Sequence, residues 1–192
     1  MNILTLTSLF PNHCEPSYSI FIKKRIEALS KLASVKVVAP VPWTLKFPLI
    51  EKYKKYAQIA LQENQDGLEV FHPRYLVTPK IGRLLYGHMF LYSIKGVIRG
   101  IINEYPCDIL DVHWIYPDGF AGVKLAKMLG IPVSVTVRGS DINLYPQYPF
   151  RRRLIAHTLR EANLVIAVCK DMVGKISALG VNETKIKVIP NG

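Results

Sequence analysis

Cysteine is scarce in this chain. Three residues of 192, Cys14, Cys107 and Cys169, stand far apart with no CxxC pair. That spacing supports neither a zinc ribbon nor a disulfide framework, and a reducing compartment is the simplest setting. Acidic residues are few as well: 14 Asp+Glu face 25 Lys+Arg, for a net charge of +11. Such an excess points to an anionic partner, whether nucleic acid, a phosphorylated substrate or an acidic membrane surface. A long uncharged apolar run is missing. The most apolar region, Leu84 to Ile102, is interrupted by His88, Lys95 and Arg99, so it falls short of the ~20 residues a bilayer span requires. The apolar first ten residues lack the basic start and small-residue cleavage site of a signal peptide. GxGxxG, GxxxxGK[ST] and GxSxG are all absent. Their absence argues against the usual dinucleotide site, a P-loop NTPase and an α/β-hydrolase nucleophile. The five histidines are scattered, with no HxxxH, so metal binding has weak support.

What is present is a well-populated core. Hydrophobic residues make up 49% of the chain and charged ones 20%, values that rule out disorder. At this length one large domain, spanning residues 1–192, is expected. Strand patterns at Asn2–Thr7, Val35–Ala39, Leu68–His72, Asp108–His113, Pro132–Val137, Leu164–Val168 and Ile186–Ile189 alternate with helical patterns. The helices are read after Ser17, over 80–103, and at Asp118–Leu129, Pro149–Glu161 and Asp171–Leu179. The long segment 80–103 is apolar nearly all round, which predicts packing on two sides. Residues 42–66, with Trp43 and Phe47, carry only weak helical character. Near-continuous apolar strands between helices predict an α/β fold: a doubly wound parallel sheet covered on both faces.

Ligands on such sheets bind beyond the carboxyl ends of the strands. Four loops therefore hold the candidates. The first, SLFPNHCEPSYS, has no glycine but offers Ser17 and Tyr18; Arg74 follows the third strand. In His113-Trp114-Ile115-Tyr116-Pro117-Asp118-Gly119, His113 reads as a donor to a substrate oxygen or as a loop-shaping histidine. Asp118 reads as a helix cap, the favoured alternative, or as a catalytic carboxylate. Trp114 and Tyr116 suit the wall of a sugar site, though such aromatics are more often core. In Arg138-Gly139-Ser140-Asp141, Gly139 permits close backbone approach. Arg138 offers a planar fork for phosphate or carboxylate, and Asp141 would hold Arg138 or bind a hydroxyl. A turn with a local ion pair is the alternative reading. The run Arg151-Arg152-Arg153, and the acid-free stretch 70–103 with Arg74, Lys80, Arg83, Lys95 and Arg99, read as solvated faces or as a surface for anionic lipid. No RNP, KH or zinc-finger pattern favours nucleic acid.

The segments FPN, VFHPRYLV, VHWIYPDGFAG, PVSVTVRGSDIN, ANLVIAVCKDM and KVIPNG occur in this order. Together they resemble the N-terminal, Rossmann-like half of a family 4 glycosyltransferase of the GT-B fold. The similarity is greatest to enzymes of bacterial surface polysaccharides, teichuronic-acid type included. The resemblance implies retaining transfer of a sugar from a nucleotide-sugar donor to a glycan or lipid-linked acceptor, with no metal or other cofactor. It implies a cytoplasmic protein, at most peripheral on the inner membrane face. It places Arg138 and Asp141 near the reacting sugar, with His113, Asp118, Gly119, Gly139, Ser140, Arg74, Ser17 and Tyr18 on the substrate side. Arg138 replaces the histidine common in the family's HGSD-like loop. The donor-binding half, with its E-x7-E motif, normally starts after the PNG turn, so this chain is expected to be inactive alone. Two other readings remain: a binding module served by a separate donor-binding subunit, and a GT-B nucleotide-sugar epimerase. Arg138, Asp141 and His113 are expected to meet at one rim, bordering an open pocket.

Overall fold

A computed structural model of the chain describes residues 1–44, 51–77 and 85–191. The first half runs β1 (Asn2–Leu6), α1 (Ile20–Ser30), β2 (Ser34–Val38), β3 (Val41–Trp43), β4 (Gln62–Gln65), β5 (Leu68–Phe71), β6 (Arg74–Leu76) and α2 (Tyr86–Glu104). The second continues through β7 (Ile109–His113), α3 (Phe120–Leu129), β8 (Val133–Val137), α4 (Ser140–Asn143), α5 (Pro149–Glu161), β9 (Leu164–Ala167), α6 (Asp171–Ser177) and β10 (Ile186–Val188).

Eight strands form one sheet in the order β10-β9-β8-β7-β1-β2-β5-β4; β3 and β6 pair separately. Only β4 runs antiparallel to its neighbour in the large sheet. From β1 the chain moves outward to β2 and β5, then returns to lay β7 on the opposite edge of β1. This reversal opens a crevice beyond the carboxyl ends of β1 and β7. Side chains along a strand alternate between faces. Val37 accordingly packs with Ile22 and Ile26 of α1, while its neighbour Val38 joins Phe90, Ile94 and Ile98 of α2 in the larger core. The sheet is thus covered on both sides, as its apolar strands predict.

Three short strands escape the sequence reading. β4 pairs with β5 through Asp66 (φ 53°) and Gly67 (φ 87°), a two-residue turn in left-handed backbone of the kind that joins hairpins. β3 and β6 extend the chain beyond β2 and β5, past Pro40 and Pro73, and Pro42 lies within β3. Of the weakly helical segment, residues 51–58 form a run of 3-10 turns, and Phe47 lies outside the described residues. The helix expected over 80–103 is described from Tyr86, and 80–84 lie outside the described residues. It packs on one side rather than two: Phe90, Ile94 and Ile98 are buried, whereas Tyr92 is 74% exposed and Val97 and Arg99 also face solvent.

Candidate functional site

The crevice predicted by the strand order holds a cleft of about 390 Å³, within the range of small-molecule sites. Ser8, Leu9 and Phe10 after β1 form one wall, and Trp114, Tyr116 and Pro117 after β7 form another. Tyr18, Tyr56, Tyr75, Tyr86 and Tyr145 complete a largely aromatic lining, with Arg151 at the start of α5. The rings support each other edge to face: Trp114 meets Tyr145 at 5.8 Å, and Tyr75 meets Phe90 at 4.9 Å. The Tyr116 hydroxyl accepts the Gly87 amide at 2.9 Å. A Cβ at Gly87 would sit 2.8 Å from the rings of Tyr116 and Phe120, so glycine is what lets α2 approach the floor of the cleft. A second cavity of about 290 Å³ lies near Lys23, Glu63 and Asp66. Its charges are already matched, by Lys23 with Asp66 at 2.6 Å and His72 with Glu63 at 2.8 Å.

Beneath α1 lies a different kind of site. Asp111 and His113 alternate with Leu110 and Val112 on β7, so the polar pair turns away from the large core. His113 is fully buried, and its Nε2 lies 2.8 Å from Asp111, which also accepts from the Ser134 hydroxyl at 2.6 Å. The other ring nitrogen meets the Arg138 guanidinium. Arginine can only donate, so His113 accepts at Nδ1 and donates at Nε2. Burial and the nearby Arg138 charge lower the His113 pKa, in keeping with that neutral form, although Asp111 opposes them. Burial would raise the Asp111 carboxyl, but its contacts with His113 and Ser134 outweigh burial and hold it ionised. Arg138 is lowered to about 10, first by burial and then by Arg25, and it remains a cation. It also donates to Asn191 and lies over the Phe21 ring at 5.5 Å.

Two further carboxylates act as ties between loops. Asp141 accepts backbone amides from Ile115 (3.2 Å), Arg138 (3.0 Å) and Gly139 (2.8 Å). It thereby joins the loop after β7 to the loop after β8. It also pins the neighbourhood of Trp114, whose φ of 86° is a strained value for a bulky residue. Asp118, fully buried, accepts from the Ser8 amide at 2.5 Å and hydroxyl at 2.9 Å, and so ties β7's loop to β1's. Burial pushes the Asp118 carboxyl up to about 7 and the Asp141 carboxyl up to about 6, against the pull of these donors.

The structure therefore brings His113, Arg138 and Asp141 together, but not as expected. His113 and Asp141 are buried and Arg138 half-buried, and none of the three lines the cleft. Asp118 corrects a second expectation: it does not cap α3, whose first turn has no side-chain cap. Asp141 does not pair with the Arg138 side chain; it holds that residue's backbone amide. Gly119 is buried against Trp114, Thr158 and Val135, a packing role. Gly139 takes φ 125°, which side chains disfavour, and Ser140 is exposed at the start of α4. Arg74 donates to the Ile59 carbonyl. Ser17 is exposed and outside the cleft, while Tyr18 lines it, its hydroxyl pKa raised by burial and by Glu15 and Asp118. Trp114 and Tyr116 both reach the cleft. Sequence reading missed Tyr56, Tyr75, Tyr86 and Tyr145, whose only signal is a high tyrosine count of 10, and it read Arg151 as part of a solvated or lipid-facing run. Among the described residues, no group of three or more His, Cys, Asp or Glu is placed to hold a metal ion.

Comparison with known proteins follows the same lines. The profile of Glycosyltransferase Family 4 matches residues 34–192. A Bacillus subtilis (strain 168) protein named for teichuronic acid biosynthesis glycosyltransferase activity, TuaC, is 28% identical over 153 residues, covering 77% of this chain and 39% of its own length. Sucrose-phosphate synthase from Thermosynechococcus elongatus superposes with a TM-score of 0.64 at 10% identity, over 99% of this chain and 48% of its own. UDP-GlcNAc 2-epimerase from Neisseria meningitidis, bound to UDP-GlcNAc, gives 0.58 at 18% identity, over 100% and 47%. At these identities the two structures speak to fold. The chain spans less than half the length of each of these relatives.

Proposed function

The chain belongs to glycosyltransferase family 4, and from that premise we propose that it forms the acceptor-side half of a retaining transferase. In this reading it seats a surface-polysaccharide or lipid-linked glycan while a nucleotide sugar serves as donor. The observation that carries the proposal is the aromatic cleft at the sheet's reversal point, between the loops after β1 and β7. Tyrosine and tryptophan rings with polar tips suit the apolar faces and hydroxyls of a sugar ring. Ser8 gives its hydroxyl proton to Asp118, so its oxygen is left to accept from a ligand hydroxyl. Arg138 and Asp141 then act one step removed, by fixing the loops that carry Trp114 and Tyr116. The donor's departing diphosphate would be stabilised by cationic and amide groups of a second half. Following the resemblance, the reaction uses no metal or other cofactor. The likeness to 2-epimerases reaches only the fold.

The test is to incubate the chain with a panel of nucleotide sugars and simple glycosides, following binding by NMR and transfer by mass spectrometry. Glycosides should bind without turnover. Turnover by this chain alone would overturn the division of labour, and failure of every glycoside to bind would overturn the cleft as acceptor site.

We also place the protein at an anionic membrane surface. No described helix is long and apolar enough to cross a membrane. On α2, exposed Tyr92 carries Lys95 over its ring at 4.7 Å, and Arg99 follows one turn on. The adjoining α3 adds Lys124, held over the Phe120 ring at 4.7 Å. An apolar and cationic face of this kind suits an interface with acidic lipid. Flotation with phosphatidylglycerol vesicles should exceed that with neutral vesicles and fall in a Lys95→Gln, Arg99→Gln double variant; equal flotation would end the idea.

A further inference from the structure

We infer that the cleft is selective for a sugar bearing an anionic group, read by Arg151. The inference rests on the acceptor reading above and sharpens it. Most of the polar equipment of the cleft is already engaged. Glu15 is held by Lys55 at 2.7 Å and by the Tyr56 hydroxyl at 2.8 Å. The Asn12 side chain accepts the amides of Cys14 and Glu15 at 3.0 and 3.1 Å.

Arg151 is different. Its guanidinium lies over the rings of Tyr145 and Tyr148, at 5.0 and 5.3 Å, and no carboxylate among the described residues pairs with it. Its neighbours Arg152 and Arg153 are exposed, whereas Arg151 is half-buried and lines the cleft. Aromatic faces hold a guanidinium flat while leaving its N–H edges open. Those edges match the two oxygens of a carboxylate or phosphate. A half-buried cation held on two rings and paired with no carboxylate among the described residues is best matched when the ligand supplies one. A ring stacked beside Trp114 and Tyr145 would bring its substituent within reach of Arg151, since Tyr145 contacts both residues. The ligand class is therefore a hexuronate or a sugar phosphate, sharing one chemistry: a pyranose with a planar or tetrahedral oxyanion.

The experiment uses Trp114 as reporter. The chain has two tryptophans, so a Trp43→Phe background leaves only the one in the cleft. Fluorescence titrations compare methyl glucoside, methyl glucuronide, glucose 1-phosphate and inorganic phosphate. Both anionic sugars should bind at least about tenfold more tightly than methyl glucoside, the size of a charge-assisted contact. Whichever is tighter identifies carboxylate or phosphate as the natural group. Arg151→Gln should close that gap by weakening the two anionic sugars far more than methyl glucoside; Arg151→Lys, which keeps the charge without the fork, should leave part of it. Raising salt to about 0.5 M should narrow the gap in the parent protein, a reading that needs no Arg151 variant. Equal affinities in the parent protein would overturn the inference, as would a gap that survives Arg151→Gln. Inorganic phosphate binding as tightly as glucose 1-phosphate would overturn the role of the ring. If no sugar perturbs Trp114, the acceptor reading itself falls and this inference with it; equal binding of neutral and anionic sugars removes the charge selectivity alone.

Discussion

The two polar regions of this molecule sit within one short motif of each other and differ in nearly every respect. The cleft is open, aromatic and low in unmatched charge. The cluster beneath α1 is ionic and mostly buried, and its charged groups are tied to one another, although the Arg138 Nε is left without a partner among the described residues. His113 belongs to the cluster and its neighbour Trp114 to the cleft. A single step along the chain moves a residue from scaffold to binding wall, because successive side chains at a strand end point to opposite sides. The difference teaches that a motif at the carboxyl end of a strand need not deliver all its residues to the ligand. Here the charged members hold the loops, and the aromatic members face outward from them.

That division can be broken most severely at Asp141. Asp141→Ala would leave the amides of Ile115, Arg138 and Gly139 without their acceptor. With a buried unsatisfied donor costing about 1–3 kcal/mol, the expected loss is about 3 kcal/mol or more, read as an early midpoint in urea unfolding. Asn at this position keeps one acceptor oxygen and should lose less. Gly87→Ala acts on the cleft by overpacking. The added methyl meets the Tyr116 and Phe120 rings, and about 1–3 kcal/mol of stability should go with a distorted cleft. Trp114→Ala sharpens the contrast in the opposite direction: glycoside affinity should drop about tenfold or more, while the unfolding midpoint moves less than in Asp141→Ala.

A smaller effect appears on changing pH. Folded protein retains the Asp118 proton up to about pH 7 and the Asp141 proton up to about pH 6. The unfolded chain releases both near pH ~4. Between these limits the folded state binds more protons, so these groups favour folding at acid pH and that contribution is lost as pH rises toward 7. Asp118→Asn has no proton to lose there. Its stability should decline less than the parent's between pH ~4 and ~7, measured by urea unfolding across that interval. The smallest effect is expected at Arg152→Gln, on the exposed side of α5, which should leave both stability and sugar binding within error. A clear loss of binding would mean that the cleft reaches further along α5 than Arg151.

Much of the architecture was legible from the chain alone. Apolar strands such as Ile109–His113 and Val133–Val137 are nearly continuous in hydrophobicity, and helices such as Pro149–Glu161 carry their own start signal. Those are local properties that periodicity and proline placement report. The short strands β3, β4 and β6 were not legible, because three or four residues give no period and pairing partners lie far off in sequence. The site divides the same way. The loops after β1, β7 and β8 were identified, since strand ends on a parallel sheet are where ligands bind. The role of each residue in them was not.

By itself, the sequence determined the alternating elements, the parallel sheet, the basic balance and the loops worth inspecting. Each follows from the chemistry of residues near one another in the chain. Only the tertiary structure decided that His113, Arg138 and Asp141 gather away from the cleft while tyrosines from six separate segments ring it. Burial and hydrogen-bond partners are set by which distant segments pack together. A carboxylate's part as tie or reactant is therefore written in its neighbours, and folding alone supplies them.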